Sequence, residues 1–156
     1  MVSLPDCPAS VAFRTSGNYL SSQGKLLVPV SSVNVRQLSV TVERVYPNNL
    51  VYFATRDSGG SRYYGGNPSD GLSHVVGQRR YAVVARPNQA VETMLDLHEF
   101  LQSTPAGAFN VTVTTDKGQT ASHLVVVTDI GLAAKLSESD LVVWANSIHS
   151  LAAITG

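Results

Sequence analysis

The sequence predicts an all-β protein, an antiparallel β-sandwich with at most one short helical turn. Three observations lead there. Apolar residues make up 44% of the chain, dominated by Val and Leu and accompanied by much Ser, Thr and Gly, while charged residues are only 14%, well under the usual ~25%; β-branched residues favour a pleated sheet. Apolar segments recur as short runs about 8–12 residues apart with turn signals between them, the spacing of a sandwich. Nowhere does a helical period persist long enough for a βαβ crossover.

Taken in order, SVAFR at 10–14 alternates around Val11 and Phe13 and reads as a first strand, followed by a polar loop over 15–23. KLLVPV at 25–30 is a second strand. Pro29 has no N–H to donate, which places this strand at an edge or a bulge. Residues 37–45 alternate most cleanly, with Leu38, Val40 and Val42 toward a core and Ser39, Thr41 and Glu43 toward solvent. Residues 46–56 are open between a short strand and a helical turn after Asn48-Asn49. The segment 57–71, DSGGSRYYGGNPSDG, is a loop. Strands at 75–85 and 91–97 follow, then LHEFLQS at 97–103, able to curl into a turn that packs Phe100 and Leu101 inward. Two hairpins close the chain: 108–115 with 122–128 over Asp116-Lys117-Gly118, and 133–136 with 141–147 over 137–140. Only Thr128-Asp129-Ile130-Gly131-Leu132 lies between them. One antiparallel hairpin passing straight into the next is how tandem sandwich modules look at a junction. A sandwich domain is therefore expected over 10–128, and over 129–156 a junction with the first strands of an incomplete following domain, Asp129 and Gly131 marking the junction.

Composition narrows the chemistry. The formal net charge is zero and no run of Lys or Arg forms a nucleic-acid face; Arg79-Arg80 is the only adjacent basic pair. No apolar stretch approaches the ~20 residues of a membrane helix, so no direct membrane insertion is expected. Met1-Val2-Ser3-Leu4 lacks the features of a signal peptide. Cys7 is the sole cysteine; it excludes an internal disulfide and reads as an unreactive thiol in a polar lead-in. His74, His98, His123 and His149 show no metal-ligand spacing, and His98-Glu99 lacks the second histidine of a metalloprotease helix. There is no Gly-x-Ser-x-Gly elbow, and Gly24-Lys25 follows no glycine-rich phosphate loop. No catalytic residue, metal or cofactor is therefore assigned, and the expectation is a protein that is not an enzyme. Asn110-Val111-Thr112 fits the N-glycosylation triplet but falls in an expected strand. Arg62, Tyr63 and Tyr64, between two Gly-Gly pairs, are the candidate partner-contact loop, weighed against a plain mobile connection. Trp144 reads as core or junction packing.

The order of segments resembles an N-terminal macroglobulin-like domain of the bacterial alpha-2-macroglobulins. Tyr19-Leu20 through Gly24-Lys25, then Pro29 with Ser32-Val33-Asn34-Val35, then Val40-Thr41-Val42-Glu43-Arg44-Val45, resemble that domain's opening. Leu95-Asp96-Leu97, Leu101 and Gly107-Ala108-Phe109-Asn110-Val111 resemble its middle. Val127 to Leu132, followed by Leu141-Val142-Val143-Trp144, resembles the crossing into the next macroglobulin domain. The resemblance implies a macroglobulin/Ig-like (fibronectin-III-like) sandwich serving as a non-catalytic module of an extracytoplasmic, periplasmic protease trap. Its partners would be neighbouring macroglobulin-like domains of the same polypeptide and, for the full-length protein, target proteases. Cys7 lacks the Gly-Cys-x-Glu-Gln context of the family's thioester. The competing reading is an Ig-like binding or adhesion module of a bacterial surface or carbohydrate-handling protein, working through Arg62, Tyr63 and Tyr64.

Overall fold

The computed structural model describes residues 6–15, 17–59, 71–101 and 106–154. Ten strands and one α-helix follow in chain order: β1 (Ser10–Phe13), β2 (Tyr19–Ser21), β3 (Leu27–Val33), β4 (Gln37–Val45), α1 (Leu50–Gly59), β5 (Ser73–Ala82), β6 (Ala90–Asp96), β7 (Gly107–Thr115), β8 (Thr120–Thr128), β9 (Ile130–Leu136) and β10 (Leu141–Ser147). They form a three-stranded sheet of order β1-β3-β6, a five-stranded sheet of order β2-β8-β7-β4-β5, and a separate β9–β10 pair.

The two larger sheets face each other. Alternation supplies the layer between them: Val28 and Val30 from β3, Leu95 from β6, Leu38, Val40 and Val42 from β4, Phe109, Val111 and Val113 from β7, Val125 and Val127 from β8 form one buried cluster. Each fully buried Val or Leu contributes roughly 1.5–3 kcal/mol, so this layer is the main source of stability. The turn at Leu97–Glu99 forms as expected, as one 3-10 turn capped by Asp96, whose carboxylate accepts from the His98 N–H, and it delivers Phe100 and Leu101 to the core.

Several local expectations change. β3 lies between β1 and β6, so Pro29 is in a central strand, not at an edge. A residue's N and O point to the same side of a strand, and the Pro29 carbonyl accepts from Arg14 N at 3.0 Å. The missing N–H therefore faces Arg14, just beyond the last residue of β1, Phe13, so only one bond at the frayed end of the ladder is forgone. The expected polar loop at 15–23 contains β2, which pairs in parallel with β8. Residues 50–59 are helical, extending into the expected loop, because Phe53 is buried with Val45, Ala108 and Leu124 on the outer face of the five-stranded sheet. Glu43 shares that outer face and is only 8% exposed, not solvated. Its Oε2 accepts from Asn110 Nδ2 at 3.1 Å, and Asn110 also reaches Thr112 Oγ1. The glycosylation triplet is thus a buried strand segment with its amide already engaged.

The lead-in is pinned by two asparagines in left-handed conformations, Asn34 (φ 53°) and Asn88 (φ 60°). Asn88 N–H donates to Asn34 Oδ1, Cys7 N–H donates to Asn88 Oδ1, and Asn34 Nδ2 donates to the Cys7 carbonyl. Asn tolerates positive φ better than other non-glycine residues. The Cys7 residue is exposed and its thiol is free.

Candidate functional site

Two places in the fold combine specific geometry with accessible surface. The first is the connection after β8. Thr128 Oγ1 accepts from Ile130 N–H at 3.0 Å, turning the chain directly into β9. Asp129 then acts as a clamp: Oδ2 accepts from Ser147 Oγ at 2.7 Å, Oδ1 from His149 N–H at 3.0 Å, and its carbonyl from Ile148 N–H at 2.7 Å. Its carboxylate satisfies the turn after β10, as Asp does in tight turns. Gly131 stands beside it, and a Cβ there would meet Ile148 Cγ1 at 3.3 Å. The two expected junction residues are therefore brought together around Ser147 and Ile148. Beyond the turn, Asn146 bridges to Ala153, adding a rung to β10.

β9 and β10 pair Leu141 with Leu136, Val143 with Ala134, Ala145 with Leu132 and Ser147 with Ile130. Directly opposed residues share a face, so this face is apolar along its length apart from Ser147. Ile130, Leu132, Leu136, Leu141 and Val143 are all exposed. Trp144 lies on the opposite face and is 49% exposed; it is not core packing here. Arg62, Tyr63 and Tyr64 fall outside the described residues.

The second place is an open end of the sandwich, and sequence reasoning missed it. The core-facing series of β4, Leu38, Val40 and Val42, continues to Arg44. Cross-strand pairing puts Arg44 opposite Phe109 of β7 and His74 of β5, and the same face of β5 carries Gly77 opposite Val42 and Arg79 opposite Val40. A β-bulge at Val42/Glu43 keeps both His74 and Gly77 on this face. These residues, with Gln78, Glu99, Phe100 and Leu101, line a cavity of about 490 Å³. Arg44 lies with its guanidinium carbon 5.8 Å from the Phe109 ring centroid, in cation–π range, and its Nη2 donates to the Ala106 carbonyl at 3.0 Å. Gly107, at φ +147°, leaves the space: a Cβ would lie 3.2 Å from Arg44 Nη2. On the far wall, Glu99 Oε2 accepts from Arg79 Nη1 at 2.6 Å and from Tyr81 Oη at 2.7 Å. Desolvation by burial first, then the hydrogen bond to Glu99 and its negative charge, push the Tyr81 phenol well above its ordinary value, against the opposing pull of Arg79. The signal in the sequence was an arginine at the next core-facing position of an otherwise apolar strand.

Among the described residues no three His, Cys, Asp or Glu side chains gather as a metal site, and no helix is long and apolar enough to cross a membrane.

The fold is a two-sheet β-sandwich that runs directly into a further β-hairpin. The family model for the bacterial alpha-2 macroglobulin MG2 domain matches residues 12–125, and the chain belongs to that family. Among solved structures, it is similar to native alpha-2-macroglobulin from Escherichia coli spanning domains NIE-MG1, with a TM-score of 0.69 and 21% identity over 94% of this chain and 73% of that one. The same protein spanning MG0-NIE-MG1 matches with a TM-score of 0.71 and 21% identity over 98% of this chain, which spans half of that one. Trypsin-activated E. coli alpha-2-macroglobulin matches with a TM-score of 0.65 and 23% identity over 88% of this chain, which spans a tenth of that one. No curated protein matches.

Proposed function

We propose that this chain is a non-catalytic structural module of a bacterial alpha-2-macroglobulin-like protease trap, working outside the cytoplasm, in the periplasm. Residues 10–128 form the module, and 129–156 are the junction and first strands of a following macroglobulin-like domain. The observation that carries this is the Asp129 clamp. It fastens β9–β10 into a unit of its own directly at the end of β8, and that unit presents a continuous apolar face with no partner among the described residues. Such a face suits one half of a second sandwich core, since an exposed apolar sheet face and open edges are otherwise a liability. The aligned share of the E. coli NIE-MG1 structure, 73% of a chain of two named domains, supports one whole domain plus part of another. The fold shared with a trypsin-activated alpha-2-macroglobulin is consistent with a module of a protein on which a protease acts.

In this reading the module provides rigidity and spacing, so that protease cleavage elsewhere moves whole domains. Neighbouring macroglobulin-like domains are its partners, and the target proteases are partners of the full-length protein. Trypsin challenge of the polypeptide encoded by the parent gene tests this. The expected result is a discrete cleavage followed by a more compact species that retains the protease. Cleavage without a mobility change or protease retention would overturn the trap. Turnover in a protease, esterase or glycosidase panel, abolished by one point mutation in this chain, would overturn the non-catalytic assignment.

A further inference from the structure

We infer that the cavity at the open end of the sandwich, together with the outer edge of β5, binds an acidic peptide segment in extended conformation. The site is distinct from the β9–β10 junction and does not depend on the trap reading.

Three features converge. Arg44 is half-buried and held in place, stacked on Phe109 and tied through one nitrogen to the Ala106 carbonyl. A guanidinium carries five N–H donors in a planar fork that matches a carboxylate. Among the described residues no carboxylate pairs with Arg44; the single ion pair there joins Arg79 to Glu99. The charge of Arg44 is thus positioned and has no counter-charge among the described residues. Second, the lining around it is rich in donors. His74 and Arg79 stand on the β5 side, and the one acid, Glu99, already accepts from both Arg79 and Tyr81 through the same oxygen. Phe100, Leu101 and Phe109 give an apolar floor, suited to the methylene stem behind a carboxylate.

Third, the cavity wall is also a sheet edge. β5 ends the strand order of the five-stranded sheet and pairs only with β4 among the described residues. A peptide added along that edge gains main-chain hydrogen bonds from β5 and sends alternate side chains inward, the geometry of β-strand addition. An inward side chain then arrives beside Arg79 and in front of Arg44. Inward-pointing charge on an edge strand discourages indiscriminate pairing; here it admits a strand bearing an acid and rejects one bearing an apolar or basic residue at that position. A free carboxylate or phosphate satisfies the guanidinium but not the edge, so the peptide is the better occupant.

The test uses two blocked pentapeptides, acetyl-Thr-Val-Glu-Val-Thr-amide and its Gln counterpart, with acetate and inorganic phosphate as small anions. They are titrated into the ¹⁵N-labelled chain while the β5 amides and the arginine Nε signals are followed. The expected result is saturable shifts along β5 and at Arg44 with the Glu peptide, and at least tenfold weaker binding of the Gln peptide. Arg44→Gln should weaken the Glu peptide at least tenfold, whereas Arg80→Gln, on the opposite face, should change it less than twofold. Should Arg44→Gln fail to fold, Arg44→Lys keeps the charge but loses the fork, and at least threefold weaker binding is expected. Equal affinity for the Glu and Gln peptides, no shift at millimolar peptide, or acetate or phosphate binding as tightly as the Glu peptide would each overturn the proposal.

Discussion

Asp129 accepts a 2.7 Å hydrogen bond from the hydroxyl of Ser147, eighteen residues further along the chain. With the bond from His149 N–H, it closes the base of the β9–β10 hairpin. Neither contact reaches back to the two larger sheets. Asp129 thus organises the hairpin on its C-terminal side, and influences the angle to the sandwich only through Thr128, whose hydroxyl takes the next N–H.

Asp129→Ala should therefore loosen the hairpin and leave the sandwich intact. Hydrogen bonds to a charged acceptor are worth about 1.5–3 kcal/mol each, so protection from hydrogen exchange at Ile148 and His149 should fall at least tenfold, while the amides of Val40 and Val42 stay unchanged. A uniform fall across both would mean that Asp129 belongs to the sandwich's own cooperative unit.

Val40→Asp should abolish the cooperative thermal transition. Val40 is buried in β4, which is paired on both sides, and an unpaired buried carboxylate costs several kcal/mol, comparable with a domain's whole ~5–15 kcal/mol. Thr41, on the outer face between Gln78 and Thr112, is half-buried, so Thr41→Asp should lower the melting temperature by only a few degrees. Calorimetry of both variants separates the two faces; equal transitions would mean the alternation has been assigned to the wrong side.

That alternation also marks how far the sequence was legible. Period two places Leu38, Val40 and Val42 correctly because a strand has only two faces and one of them must be apolar. It cannot say whether the other face is also covered, and so Glu43 was expected in solvent. Its carboxylate is held by Asn110 across the ladder, on the same outer face where α1 packs Phe53 against Val45. The helix was hidden because 50–56 is too short to distinguish a helical from a strand period. Pro29 misled because the rule for edges concerns N–H groups, and here the neighbouring strand simply ends. Within the candidate site, chain continuity alone singles out Asp129 and Gly131, but not the bonds of Asp129 to Ser147 and His149. The Arg44 cavity needed three strands in register, which no single segment encodes.

Gly77→Val should destabilise the fold by about 1–3 kcal/mol, the usual cost of overpacking. A Cβ on Gly77 would lie 2.9 Å from Phe100 Cδ1, and Phe100 is itself buried beneath the cavity. Chemical denaturation of Gly77→Val alone and combined with Phe100→Leu checks the mechanism. The smaller partner should recover part of the loss, and simple additivity would show that the ring is not what the new side chain meets.

Tyr81 gives a pH-dependent signature of the cavity wall. Its phenol is raised by burial first and then by Glu99, to which it donates a 2.7 Å hydrogen bond. The neutral phenol is therefore the form favoured in the folded state. A group whose folded pKa lies above its unfolded value contributes stability that is fully present below the unfolded value, about 10 for tyrosine, and is lost as pH rises from there toward the folded value. Unfolding free energy should accordingly decline above about pH 10, and a Tyr81→Phe variant should show a shallower decline. Ultraviolet titration of the folded chain should show a phenol ionising well above the ordinary tyrosine range, and that late step should be missing in Tyr81→Phe. In Glu99→Gln the hydrogen bond to a charged acceptor and the carboxylate's field are both removed and burial remains, so the phenol should titrate earlier than in the parent but still late. A parent titration with no late step that Tyr81→Phe removes would mean that the Tyr81–Glu99–Arg79 group is open to solvent, and that this wall of the cavity is not fixed.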